Sequence, residues 1–135
     1  MKICVSAVAG NLDAQVDPRF SRCAYYMIVD SETMQFEAVL NTAAGAMSGA
    51  GIQAAQSIVN RKVDVLITGN VGPNAFQVLS SAGIKVVPNA SGTVVEVIER
   101  YKKGELEETK GPTVPGNSGA GAGRGRGRRG GRWGD

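Results

Sequence analysis

VDVLITGNVGPNAFQVLSSAGIKVV, from Val63 to Val87, decides the fold. Its β-branched opening, Val63 to Thr68, has the length and composition of a buried strand. GNVGPN, Gly69 to Asn74, is a glycine-rich turn. Pro73 follows Gly72 directly, where the first turn of a helix accepts proline, so Pro73 to Ala82 is predicted helical. Ile84 to Val87 is the next strand. Strand, helix and strand in this order form a parallel pair joined by a right-handed crossover.

Working outward, Thr93 to Lys103 reads as a last helix. Thr93 and Glu96 have capping-box spacing, Lys102 and Lys103 suit its carboxyl end, and Gly104 supplies a left-handed stop. Towards the amino terminus, Ile52, Ala55 and Val59 recur at helical spacing over Ile52 to Asn60. Lys2 to Val8, Tyr25 to Asp30 and Gln35 to Leu40 read as strands, the last two forming a hairpin through Ser31 to Met34. The expected architecture is α/β, with a mixed five-stranded sheet in the order 3-2-1-4-5 and strand 2 antiparallel. The loops after strands 1, 3, 4 and 5 then gather at one edge, the place where such sheets bind ligands. They are Ala9 to Phe20, Asn41 to Gly51, Gly69 to Asn74 and Pro88 to Gly92. Three of the four open a helix. Unpaired amides at a helix start favour an anion, and glycine allows close approach; the competing reading is that these glycines only make turns and caps.

The 135 residues divide by composition. Residues 1–110 suit one domain with a core of Val, Ile, Leu and Ala, since aromatic residues make up only 5% of the chain. They carry ten Lys or Arg and eleven Asp or Glu, so the domain is nearly neutral. Residues 111–135 hold ten of the nineteen glycines, and five arginines against one aspartate. This segment has no apolar periodicity and is expected to be a disordered tail. Its RGRGRRGGRW run gives an alternative function, nucleic-acid binding through Arg and base stacking on Trp133. With no apolar run long enough to span a bilayer and no signal peptide, a cytoplasmic location without membrane contact is expected.

The chain has no histidine, which removes Ser–His and Cys–His catalysis and every imidazole ligand. There is no Gly-Lys pair for a phosphate-binding Walker loop. Gly49 and Gly51 lack the third glycine and the strand position of a dinucleotide fingerprint. Cys4 and Cys23 are too few for a disulfide framework.

The run VDPRFSRCAYYMIVD (residues 16–30), the GAGIQAAQ helix start and the 63–87 segment together resemble the dinitrogenase iron–molybdenum cofactor biosynthesis family over Met1 to about Leu106. The resemblance implies a three-layer, ribonuclease-H-like domain. It also implies a carrier role: non-enzymatic binding of an iron–sulfur or molybdenum–sulfur cluster, or its precursor, during cofactor assembly. Assembly proteins or ATPases are the partners it suggests. The subgroup nearest to nitrogenase shows His-Phe-Gly where this chain has Arg19-Phe20-Ser21, which implies a stand-alone relative handling another metal–sulfur species. A nuclease on such a scaffold would need clustered carboxylates, and strands 1 and 4 offer only Asp64.

The candidate cofactor-binding residues are Arg19, Arg22, Cys23, Gly49, Gly51, Gly69, Asn70 and Gly72. Cys23 is the candidate metal ligand, as a thiolate helped by Arg19 and Arg22, or else a bystander thiol. The two arginines offer guanidinium donors to an anion, or surface ion pairs. Cys4 reads as core, Asp17 as a turn residue before Pro18, and Met47 as a soft ligand or a packing residue.

Overall fold

A computed structural model of the chain describes residues 1–45 and 49–113. Met47 and the residues of the tail from Val114 onward lie outside the described residues. The elements run β1 (Lys2–Ala7), β2 (Tyr25–Asp30), β3 (Phe36–Leu40), α1 (Ala50–Asn60), β4 (Val65–Ile67), α2 (Pro73–Ser81), β5 (Lys85–Val87) and α3 (Val94–Lys102). The sheet order is β3-β2-β1-β4-β5, as the sequence predicts. β2 pairs antiparallel with β1 and β3, while β4 pairs parallel with β1 and β5.

Alternation along each strand sorts the core into two halves. Cys4, Tyr26, Ile28, Leu66 and Val86 meet Ala54, Ala55 and Ile58 of α1 and Ala75 and Leu79 of α2 on one face. Ile3, Val5, Met27, Val29, Val65, Ile67 and Val87 meet Val94, Val97 and Ile98 of α3 on the other. β1 and β4 are covered on both faces, which is why their sequences are almost continuously apolar. β3 lies at an edge, and its Phe36 and Leu40 stay exposed.

β4 and β5 are shorter than the apolar runs that contain them. Val63 and Ile84 are buried but stand outside the ladder, packed against the α1 and α2 face. Burial extends further than strand pairing, so hydrophobicity overstates strand length. α1 differs at its start. It begins at Ala50 because Gly49, at φ 74°, takes the left-handed N-cap position, and Gly51 is therefore a residue of the first helical turn.

α3 has the full reciprocal cap: the Thr93 Oγ1 accepts the Glu96 N–H at 3.2 Å, and the Glu96 carboxylate accepts the Thr93 N–H at 2.8 Å. These bonds hold the Glu96 carboxyl below its ordinary value. Thr93→Ala should cost about 1 kcal/mol at neutral pH in urea denaturation. Because the folded carboxyl is the stronger acid, the cap's contribution is complete above the ordinary glutamate range and is lost as pH falls through the lower folded value. The difference between wild type and Thr93→Ala should therefore narrow on acidification.

Candidate functional site

The carboxyl ends of β1, β3, β4 and β5 share one edge, and the loops that leave the first three of them build a cleft of about 470 Å³ there. The loop after β1 is stitched down first. Ser6 Oγ donates to the carbonyl of Asp17 at 2.7 Å, so the hydroxyl it meets at 2.7 Å, Thr68 Oγ1, must be the donor in that pair. The Asp17 N–H returns a bond to the Ser6 carbonyl at 2.9 Å. All three residues are buried. The chain then crosses Gly69 so closely that an added Cβ there would lie 2.4 Å from the Pro18 Cα. The Asn70 N–H bonds the Pro18 carbonyl at 2.7 Å, and Arg19 pairs with Asn70 as a parallel bridge.

Asp17 holds Arg19. Its carboxylate accepts the Arg19 backbone N–H at 2.9 Å and the guanidinium at 3.2 and 3.3 Å. Asp17 is buried whereas the Arg19 side chain is 68% exposed, so a fixed carboxylate orients a solvent-facing cation. The bond raises the guanidinium further above its ordinary value. Arg22 Nη1 donates to the Ala44 carbonyl at 2.6 Å. Asn41 Nδ2 donates to the carbonyls of Ser21 and Cys23, tying this segment to the approach to α1.

Arg19, Arg22, Gly49, Gly51, Asn70 and Gly72 line the cleft together, as the sequence groups them. Two of the predicted residues stand elsewhere. Gly69 makes the close crossing with Pro18 beneath the cleft. Cys23 is fully buried, its Sγ donating to the Phe20 carbonyl at 3.4 Å, and burial pushes its thiol up to about 11. It is a neutral thiol at pH 7. Tyr26 donates its hydroxyl to the same Phe20 carbonyl, and the Phe20 and Tyr26 rings pack 5.4 Å apart. Cys4 lies in the core, where burial raises its thiol too.

The fourth loop takes no part in the cleft. Asn89 and Ala90 donate to the carbonyls of Gly69 and Thr68, and Val16 donates to Gly92, so this loop braces the others. The helix it opens is saturated: the Val94 N–H bonds Ala14, the Val95 N–H bonds Leu12, and the Glu96 N–H bonds Thr93. The other two helix starts differ. Neither Gly49 nor Gly72 supplies a side-chain cap, and neither first turn holds an acidic residue. Among the described residues no acceptor meets the N–H groups of Gly51 and Ile52 on α1, or of Asn74 and Ala75 on α2. All four residues line the cleft, where no carboxylate is among the lining residues. Sequence reading singled out the glycines but passed over Ile52, Asn74 and Ala75, although the absence of Ser, Thr, Asp or Asn at both N-caps marked them.

Fold and cleft define a small α/β domain with two uncapped helix starts and two arginines around an anion-sized cavity. The chain belongs to the dinitrogenase iron–molybdenum cofactor family, whose model matches residues 1–104. It is similar to the apo form of the orange protein from Desulfovibrio gigas, with a TM-score of 0.81 and 42% identity over 83% of this chain and 95% of that one. A Thermotoga protein of the DUF35 family matches with a TM-score of 0.70 and 41% identity over 79% and 91% of the two chains. The protein MJ0580 of Methanocaldococcus jannaschii is 32% identical over 112 residues, 80% of this chain and 95% of its own.

Two glycine substitutions separate scaffold from cleft. Gly69→Ala forces backbone apart at Pro18 and should lower stability by about 3 kcal/mol. A Cβ at Gly51 would rest 3.5 Å from the Ala75 Cβ, an ordinary contact. Within a helix, Gly51→Ala should leave stability unchanged or raise it by up to about 1 kcal/mol. Urea midpoints of the two variants check both.

Proposed function

We propose that the cleft carries an anionic metal–sulfur species, containing iron or molybdenum, for hand-over during cofactor assembly, and that it does so by binding and not by catalysis. The carrying observation is the contrast among the three helix starts. α3 has every early amide satisfied, while the amides of Gly51, Ile52, Asn74 and Ala75, four residues that line one cavity, meet no acceptor among the described residues. The positive ends of two helix dipoles then add to Arg19 and Arg22. A thiometallate presents several terminal sulfides with delocalised negative charge, and amide and guanidinium donors match them without a covalent ligand.

This donor set fits a cargo held by its outer atoms. The described residues contain no group of three or more His, Cys, Asp or Glu able to hold a bare metal ion. Cys23 then serves the site by packing under Phe20, since its thiol is buried and bonded inward. Family membership supports the metal–sulfur reading, and the similar orange protein, solved in an apo form, supports a cargo that comes and goes. Carriage of this kind implies a donor and an acceptor protein, which fits the assembly proteins or ATPases suggested by the resemblance.

Incubating the protein with tetrathiomolybdate without oxygen, then desalting, should leave coloured protein with bound molybdenum. Arg19→Gln removes a charged donor and should weaken binding about tenfold. Gly51→Ala should weaken it as well, by narrowing the cavity, without loss of stability. Cys23→Ala should retain the metal. Absence of retained molybdenum, or wild-type binding by both Arg19→Gln and Gly51→Ala, contradicts the reading.

A further inference from the structure

The loop after β4 is held from its outer side by the segment that follows α3. Residues 105–113 turn back past β5, where the Thr109 N–H donates to the Val86 carbonyl at 2.8 Å and Thr109 Oγ1 donates to the Gly111 carbonyl at 2.9 Å. The segment reaches Val71. There Thr113 takes both main-chain groups: the Val71 N–H donates to Thr113 Oγ1 at 2.8 Å, and the Val71 carbonyl accepts the Thr113 N–H at 2.9 Å and its hydroxyl at 3.3 Å. Val71 is buried, and among the described residues nothing else meets these two groups.

Holding Val71 sets the peptide that follows it. In a trans peptide the C=O and N–H point to opposite sides, so a Val71 carbonyl fixed on Thr113 turns the Gly72 N–H away from Thr113. The Asn70 N–H lies on that same far side, where it donates to the Pro18 carbonyl at 2.7 Å. Asn70 and Arg19 form a parallel bridge, and continuing it would give Gly72 the Phe20 carbonyl as acceptor. That carbonyl is already engaged by the Tyr26 hydroxyl and Cys23 Sγ. The Gly72 N–H is therefore left without an acceptor among the described residues, and Gly72 lines the cleft. Pro73 has no N–H, so Gly72 supplies the donor that precedes Asn74 and Ala75 in this wall.

We infer that Thr113 is a positioning residue of the cleft, holding Val71 so that the Gly72 N–H faces the anion as a further donor. This role rests on the anion reading of the cleft. It requires a hydroxyl, because one oxygen accepts from the Val71 N–H while its proton goes to the Val71 carbonyl. Serine reproduces both bonds and valine neither.

The test uses the isotopically labelled full chain and tetrathiomolybdate without oxygen. In wild type the Gly72 amide resonance should shift saturably, with the same half-saturation as those of Asn74 and Ala75. Thr113→Val keeps the shape of the side chain and should weaken binding about fivefold, the worth of one misdirected hydrogen bond. It should also reduce the Gly72 shift at saturation, while Gly51 and Ile52 on the other wall shift as in wild type. Thr113→Ser should restore both. A brace serving stability alone would lower the urea midpoint of Thr113→Val and leave its affinity and its saturated Gly72 shift unchanged, and that result overturns the inference. An unmoved Gly72 amide in wild type, beside shifting Asn74 and Ala75 amides, overturns it too and leaves the cleft reading standing. If none of the Gly51, Ile52, Asn74 and Ala75 amides shifts saturably, the cleft reading fails and the role of Thr113 falls with it.

Discussion

The close crossing of Gly69 over Pro18 is the contact on which the site depends, because it sets the loop after β1 directly over the loop after β4. Any side chain at position 69 would separate them. With the crossing in place, Asn70 bonds Pro18, Arg19 pairs with Asn70, and Gly72 opens α2 alongside. The buried Ser6, Thr68 and Asp17 bonds hold the same junction from beneath. These polar groups are fully buried and partnered within the protein, so breaking one would strand the others in a dry environment.

Around that junction the three helix starts have different tasks. α3 is sealed by its own capping box and by the 12–14 segment, which makes it a support. α1 and α2 are left open: among the described residues no acceptor meets the amides of Gly51, Ile52, Asn74 and Ala75, which line the cavity. Open helix ends carry a cost in stability, and proteins accept such costs where a ligand completes the bonding. Arg19 follows the same logic. Its guanidinium is exposed, yet the buried Asp17 carboxylate fixes its direction before any anion arrives. Preorganisation of this kind reduces the ordering required on binding.

Much of this arrangement was readable from residue order alone. Apolar runs, hairpin spacing and the 63–87 unit lead to the sheet order because crossovers are right-handed and elements adjacent in sequence lie together. The Thr93 and Glu96 cap was readable because both halves are side chains at fixed spacing. Arg19, Arg22 and the loop glycines could be grouped because topology brings strand ends together. Other features follow from packing that no local pattern encodes. The burial of Cys23 depends on Phe20 and Tyr26 folding over it. Asp17 reads as a turn residue, and its hold on Arg19 appears only once the 17–19 turn is closed. Thr113 reads as tail by composition, and its pairing with Val71 depends on the chain turning back along β5. Gly69 looks like the other loop glycines until Pro18 is seen against it.

The central claim is that the unsatisfied amides of α1 and α2 are the seat of an anionic cargo. Amide resonances of isotopically labelled protein, followed as tetrathiomolybdate is added, test it most directly. The account predicts saturable shifts centred on Gly51, Ile52, Asn74 and Ala75, with the amides of Val94 to Glu96 unmoved because their acceptors are already in place. Shifts centred on the start of α3, or no saturable shift at α1 and α2, would contradict it.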